Sequence, residues 1–174
     1  GYGDYFAWGE KSPKNDYSWS TYKYCNGSET SLTKYNTSSD YGTVDNKTIL
    51  EHSDDAACAN WGGTWRMPTK AEQDELKNNC TWTWTTQNGV NGCRLTSKTN
   101  GNSIFLPFAG YRLSGDLNHG GSQGWFWSGT YELDDDYSND DNSTAYNFCY
   151  GGYWGRWSYS NRLRGLSVRP VTEK

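Results

Sequence analysis

The sequence predicts an α+β fold, with two short helices in the first half and many short strands joined by long polar loops after them. Three observations carry this. Helix-start signals stand close together around Ser53 and Thr69. From Thr81 onward, alternating aromatic and β-branched residues and repeated Asn-Gly pairs mark strands and tight turns. The third observation is the core material. Val, Ile, Leu and Phe number only 21 of 174 residues, about one in eight, against the roughly one in five below which disorder is suspected. Disorder also wants high net charge and few aromatics, whereas this chain carries 10 Trp, 14 Tyr and 5 Phe at a formal net charge of −4. Each ring can bury about 150–250 Å², so rings replace the missing aliphatics and the core they build has polar tips.

Taken in order, residues 1–50 are polar and studded with aromatics, and the period-two stretch Asp16-Tyr17-Ser18-Trp19-Ser20-Thr21-Tyr22 predicts an edge strand. Ser53 predicts the cap of the first helix, whose opening turn places Asp54 and Asp55 at the positive end of the helix dipole. Ala56, Ala57, Cys58 and Ala59 follow, and Gly62-Gly63 stops the helix. Thr69-Lys70-Ala71-Glu72 after Pro68 is a capping box opening a second helix to about Asn79. Thr81-Trp82-Thr83-Trp84-Thr85 alternates strictly, and Asn88-Gly89 and Asn91-Gly92 offer hairpin turns before Cys93-Arg94-Leu95-Thr96 returns. Ile104-Phe105-Leu106 reads as a buried central strand. Further strands are expected at Trp125-Phe126-Trp127, at residues 145–150 and at Leu166-Ser167-Val168-Arg169.

The length suits one domain over residues 1–174, with little room for a second core. A mean hydropathy of −0.99 and the lack of any apolar run near the roughly 18 residues of a spanning helix argue against membrane insertion. A pI near 5.1 without a Lys/Arg cluster argues against nucleic acid, because phosphate binding needs a basic face. The opening Gly1-Tyr2-Gly3-Asp4 has no basic, apolar leader, so any leader or anchor is expected outside this chain. Five cysteines, Cys25, Cys58, Cys80, Cys93 and Cys149, leave at least one unpaired within a monomer, and no two stand at CxxC spacing. Two bridges plus one thiol, or five thiols, are both open. His52 and His119 lie too far from any Cys pair for a finger-type zinc site.

The run Asn60-Trp61-Gly62-Gly63-Thr64-Trp65-Arg66-Met67-Pro68-Thr69, then Glu72 and Leu76, together with Leu106-Pro107-Phe108-Ala109-Gly110-Tyr111-Arg112, Trp127-Ser128 and Gly165-Leu166-Ser167-Val168-Arg169-Pro170-Val171, resembles a known group. It is similar to the C-type-lectin-fold domains related to the formylglycine-generating enzyme, as in the Fibrobacter succinogenes major paralogous domain and the variable proteins of diversity-generating retroelements. The resemblance covers residues 44–172 and leaves 1–43 as an N-terminal part outside it. It implies a C-type lectin-like domain with two short helices beside twisted antiparallel sheets and long loops, and a variable, ligand-facing region within 106–172. Trp127, Trp157, Arg162 and Gly165 match the fixed scaffold of such domains. The variable positions it implies are Leu113, Ser114, Asp116, Asn118 and His119 in one loop, and Tyr153, Gly155, Arg156, Ser158, Tyr159, Ser160, Leu163 and Arg164 in another. Mutating the adenines of an Asn codon never yields Lys, Glu, Gln, Met or Trp, and none of these five stands at the implied positions.

Residue chemistry supports binding independently of the family. Tyr, Ser, Gly, Asn and Arg are the types with which binding loops combine rigid aromatic anchors and adaptable hydrogen bonds. Residues 150–162 have that composition, with Trp157 expected as a core ring and Tyr153, Arg156 and Tyr159 expected at the surface. The acidic run Glu132, Asp134, Asp135, Asp136, Asp140 and Asp141 within 132–141 could hold Ca²⁺, which takes about six to eight oxygen ligands. Its spacing is not that of an EF-hand, and the chain lacks the Glu-Pro-Asn and Gln-Pro-Asp triplets of calcium-dependent sugar-binding lectins, so a solvated loop and no cofactor are expected. The related oxidases use a pair of reactive cysteines in the C-terminal part, where this chain has only Cys149, and the remaining cysteines read as structural. Glycosylation sequons at Asn26, Asn36, Asn46, Asn79 and Asn142 would matter only in a eukaryotic secretory route.

The expected function is therefore a non-enzymatic binding module that displays a hypervariable aromatic and polar surface to a protein or glycan on a host or neighbouring cell. It is expected outside the cell, at a cell surface or on a virion. A sulfatase-modifying enzyme and a structural pilin or adhesin subunit are the alternatives.

Overall fold

A computed structural model describes residues 1–131, 141–152 and 154–172, with Trp154 by its backbone alone. The first helix, α1 (Ala56–Trp61), starts later than Ser53 predicts. Asp55 takes the cap, because its carboxylate accepts the amides of Ala57 (2.7 Å) and Cys58 (3.2 Å), while His52–Asp54 forms a 3-10 turn before it. After the short strand β1 (Trp65–Arg66), helix α2 (Lys70–Asn79) opens on the predicted capping box. Thr69 Oγ1 accepts the Glu72 amide at 3.2 Å, and Glu72 Oε2 accepts the Thr69 amide at 2.9 Å, a cap of the kind that contributes about 1 kcal/mol. The same carboxylate receives both Arg66 nitrogens at 2.7 Å. That paired guanidinium holds the Glu72 carboxyl down at about 2.

Strands β2 (Cys80–Gln87), β3 (Val90–Ser97) and β4 (Ser103–Pro107) form an antiparallel sheet in that order. Asn88 and Gly89 close the first hairpin with φ of 51° and 75°, the left-handed pair that a two-residue turn needs. Asn91-Gly92 therefore lies inside β3 instead of turning. The 104–106 strand takes the sheet edge and not its centre, because β3 already holds the central place. Strands β5 (Tyr111–Leu113) and β6 (Asp116–Asn118) form a small hairpin. Strands β7 (Gln123–Trp127), β8 (Thr144–Gly151) and β9 (Trp154–Asn161) form a second three-stranded antiparallel sheet, and β10 (Val171–Thr172) returns to pair with β1. Every ladder is antiparallel in this strand-rich, two-helix fold. No helix among the described residues is long and apolar enough to cross a membrane.

Two further expectations need correction. Residues 16–22 make only a single bridge, Tyr17 to Ser114, and then a 3-10 turn, Trp19–Thr21. Thr21 Oγ1 donates to the Asp16 carbonyl at 2.7 Å, the local side-chain bonding by which Ser, Thr and Asp draw backbone away from ladders. Residues 166–169 likewise give isolated bridges, Leu166 to Phe6 and Ser167 to Phe126, and no ladder strand.

The sheet β7-β8-β9 is the wall between two cores. Its register places Trp125, Trp127, Ala145, Asn147, Cys149, Arg156, Ser158 and Ser160 on one face. Phe126, Tyr146, Phe148, Tyr150, Gly155, Trp157 and Tyr159 take the other. The first face packs with Tyr5, Phe6, Trp8, Tyr17 and Tyr35 from the irregular N-terminal segment. The second packs with Cys93, Leu95, Leu106 and Phe108 of the other sheet and its flank. Trp157 lies on this side, edge-on to Phe148 at 5.1 Å, with its indole N–H donating to Asp74 of α2 at 2.6 Å.

Arg162 is fully buried in the first core, donating from Nε to the Thr144 carbonyl at 3.0 Å and lying over Tyr131 (4.4 Å) and Trp8 (4.9 Å). Burial lowers its pKa, and the two ring faces offset part of the lost hydration. Gly165 is required where it stands, since a Cβ there would lie 2.5 Å from the Tyr17 ring. All five cysteines are free thiols.

Candidate ligand-binding surface

The β5–β6 hairpin has its backbone fixed on both flanks. At its tip, Ser114 adopts φ of 51° and exchanges two hydrogen bonds of 3.0 Å with Tyr17. At its base, Arg112 donates to the Gly165 carbonyl at 2.7 Å and accepts from the Gly165 amide at 2.9 Å. Backbone groups so paired leave the side chains to solvent. Leu113 (36% exposed), Ser114, Asp116 and His119 are exposed, and Asn118 is half-buried.

At the start of β5, Tyr111 gathers three partners. The Arg164 guanidinium lies 4.9 Å from its ring, the His119 ring 5.8 Å away and the Trp125 ring edge-on at 5.1 Å. Trp125 stands opposite Cys149, which stands opposite Arg156. The exposed Arg156 therefore continues the same sheet face, with half-buried Ser158 next along it. Burial pushes the Cys149 thiol up, and Arg156 and Ser158 offset part of that rise. On the far side of the hairpin, Asp4, Lys14, Asn15, Tyr17 and Arg112 line a polar cleft of about 410 Å³. The result is a mixed aromatic and cationic surface on a fixed frame, suited to cation–π contacts and charge-assisted hydrogen bonds.

The second group of implied positions divides. Ser160 (2% exposed) and Leu163 (6%) are corrected from ligand-facing to buried. Ser160 sits opposite Ala145, and Leu163 belongs to the core that contains Trp127 and Tyr131. Gly155 and Tyr159 lie on the opposite sheet face from Arg156. A Cβ at Gly155 would come within 3.1 Å of Phe148, and Tyr159, expected at the surface, is half-buried against Tyr146, with ring centres 4.4 Å apart and hydroxyls 2.5 Å apart. Arg164 is half-buried but remains part of the Tyr111 cluster. Tyr153, and Glu132, Asp134, Asp135, Asp136 and Asp140 of the acidic run, lie outside the described residues. Asp141 is used locally, accepting from the Ser143 amide (2.9 Å) and hydroxyl (2.6 Å).

Sequence reasoning missed Tyr111 and Trp125. Period two in Trp125-Phe126-Trp127 separates Trp125 from Phe126, but it does not say which face meets the hairpin. Comparison of the chain with protein-family models, with characterised proteins and with solved structures gives no match.

Proposed function

We propose that this chain is a non-enzymatic recognition module with a C-type-lectin-like fold, of the kind that retroelements diversify. It presents an aromatic and polar surface to a protein or glycan on a host or neighbouring cell, from a cell surface or a virion. The observation that carries this reading is the hairpin, whose backbone bonds run to Tyr17 and Gly165 while its side chains at 113, 114, 116 and 119 are exposed. A loop held by its backbone can change side chains at small cost in stability. Arg156 and Arg164 outnumber Asp116 on this surface, which favours a partner bearing carboxylates or other anions. If the partner is a protein, a contact of roughly 800 Å² per side is expected.

The encoding DNA gives the first test. A reverse-transcriptase gene should lie nearby, with a template repeat differing from the stretch for residues 112–165 only at adenines; a template that differs at other bases contradicts diversification. The second test is binding to an oligosaccharide array and a panel of displayed extracellular domains. Replacing both His119 and Arg156 by alanine should weaken any captured partner by about tenfold or more, equivalent to about 1.4 kcal/mol, with thermal unfolding unchanged. Unchanged affinity would place recognition elsewhere on the molecule.

A further inference from the structure

One thiol of the five has a base beside it, and it lies apart from the surface described above. His52 opens the 3-10 turn His52–Asp54, and Cys58 is the third residue of α1. Asp55, between them, ends the turn and caps the helix, and this tight passage brings Cys58 Sγ within 2.7 Å of His52 Nε2. His52 is exposed and Cys58 half-buried, so a small reagent can reach the pair.

Charged groups on the elements packed around α1 are engaged elsewhere. Asp54 receives the Lys34 ammonium and the Tyr35 hydroxyl. Asp55 accepts the amides of Ala57, Cys58 and Met67, and Arg66 of β1 is paired with Glu72. The imidazole is thus the group placed to take the thiol proton. The other cysteines are set differently. Cys93 and Cys149 are buried, and burial pushes the Cys93 thiol up to about 12 and the Cys149 and Cys80 thiols upward as well. Half-buried Cys25 points its thiol at the carbonyls of Trp19 (3.1 Å) and Tyr22 (3.6 Å), which cannot accept a proton outright.

We propose that Cys58, assisted by His52, is a thiol–disulfide exchange site for small disulfides. In the step, Cys58 Sγ attacks one sulfur of a disulfide R–S–S–R while its proton passes to His52 Nε2. A new Cys58–S–S–R bond forms, the original S–S bond breaks, and the other half leaves as R–S⁻, which recovers a proton from the imidazolium or from water. Cys58 is oxidised and the departing half is reduced, so the small disulfide is itself the oxidant.

The test treats the folded chain with oxidised glutathione and follows each cysteine by peptide mass mapping. Cys58 should react at least about tenfold faster than Cys25 or Cys80, and Cys58→Ser should remove the fast phase. His52→Gln should slow Cys58 by a similar factor at neutral pH, and the gap should close at strongly alkaline pH, where hydroxide replaces the imidazole as proton acceptor. A rate at Cys58 no greater than at Cys25 in the unmodified chain would overturn the proposal. So would a His52→Gln deficit of equal size at every pH, which would make His52 merely structural.

Discussion

Leu113 and Leu163 carry the same side chain and the same expected role, yet the fold separates them. Leu113 stands at the end of a hairpin strand, 36% exposed, whereas Leu163 follows β9 into the first core at 6%. The hairpin spends its backbone bonds on Tyr17 and Gly165 and leaves its side chains outside. Strand β9 belongs to the wall between two cores, so most of its side chains have a packing partner on one face or the other. Largely polar composition is common to both regions, and it does not distinguish a loop held by its backbone from a strand held by its side chains.

The largest expected effect comes from that leucine pair. Leu163→Ala should cost about 3 kcal/mol, the usual range for emptying a core leucine site, while Leu113→Ala should stay within about 0.5 kcal/mol. Equal losses in denaturant unfolding would erase the distinction between the two regions. Next, Gly155→Val should cost about 2 kcal/mol by crowding Phe148, whereas Asp116→Tyr, a change of similar added volume at an exposed position, should be nearly neutral by the same measurement.

A smaller effect concerns α2, against which the Trp157 face of β9 is held through Asp74. Glu72 is held at about 2, below the ordinary carboxylate value, chiefly by Arg66. A carboxyl with a depressed folded pKa stabilises above its unfolded value, near 4.5, and loses that contribution as pH falls toward 2. The carboxylate is about one-third exposed, so after discounting for solvent its ionised form contributes about 1 kcal/mol. Glu72→Gln should therefore lower stability by about that much at neutral pH and flatten the acid limb of unfolding between these two values. An unchanged acid limb would show that the ion pair contributes nothing. The smallest effect is Ser160→Ala, expected within about 0.5 kcal/mol because the buried hydroxyl has no partner among the described residues; a loss near that of Leu163→Ala would mean that Ser160 holds a bond of consequence.

What the sequence makes legible is what neighbouring residues decide. The capping box at Thr69 and Glu72 and the Asn88-Gly89 turn are chemistry over four residues or fewer, and both stand where they were expected. The Asp55 cap displaces Ser53 because the Asp55 carboxylate serves the Met67 amide as well as two helix amides, a contact made across the fold. The same holds for the N-terminal segment. Tyr5, Phe6, Trp8 and Tyr35 sit in no strand or helix, and they find their place against Trp127, Ala145 and Leu166 far along the chain. Of the candidate surface, the resemblance alone implies the exposure found at Leu113, Ser114, Asp116 and His119, and the backbone bonds to Tyr17 and Gly165 give it a physical reason. The facing of β9 was not readable, because alternation names two faces and only the partner sheets say which is open.

The most direct test compares two small libraries, one randomised at Ser114, Asp116, Asn118, His119 and Arg156, the other at Gly155, Ser160 and Leu163, each scored for the fraction of members that resist proteolysis. The first should keep most members folded and the second few. Similar fractions in both would contradict a frame that fixes one set of positions and frees the other.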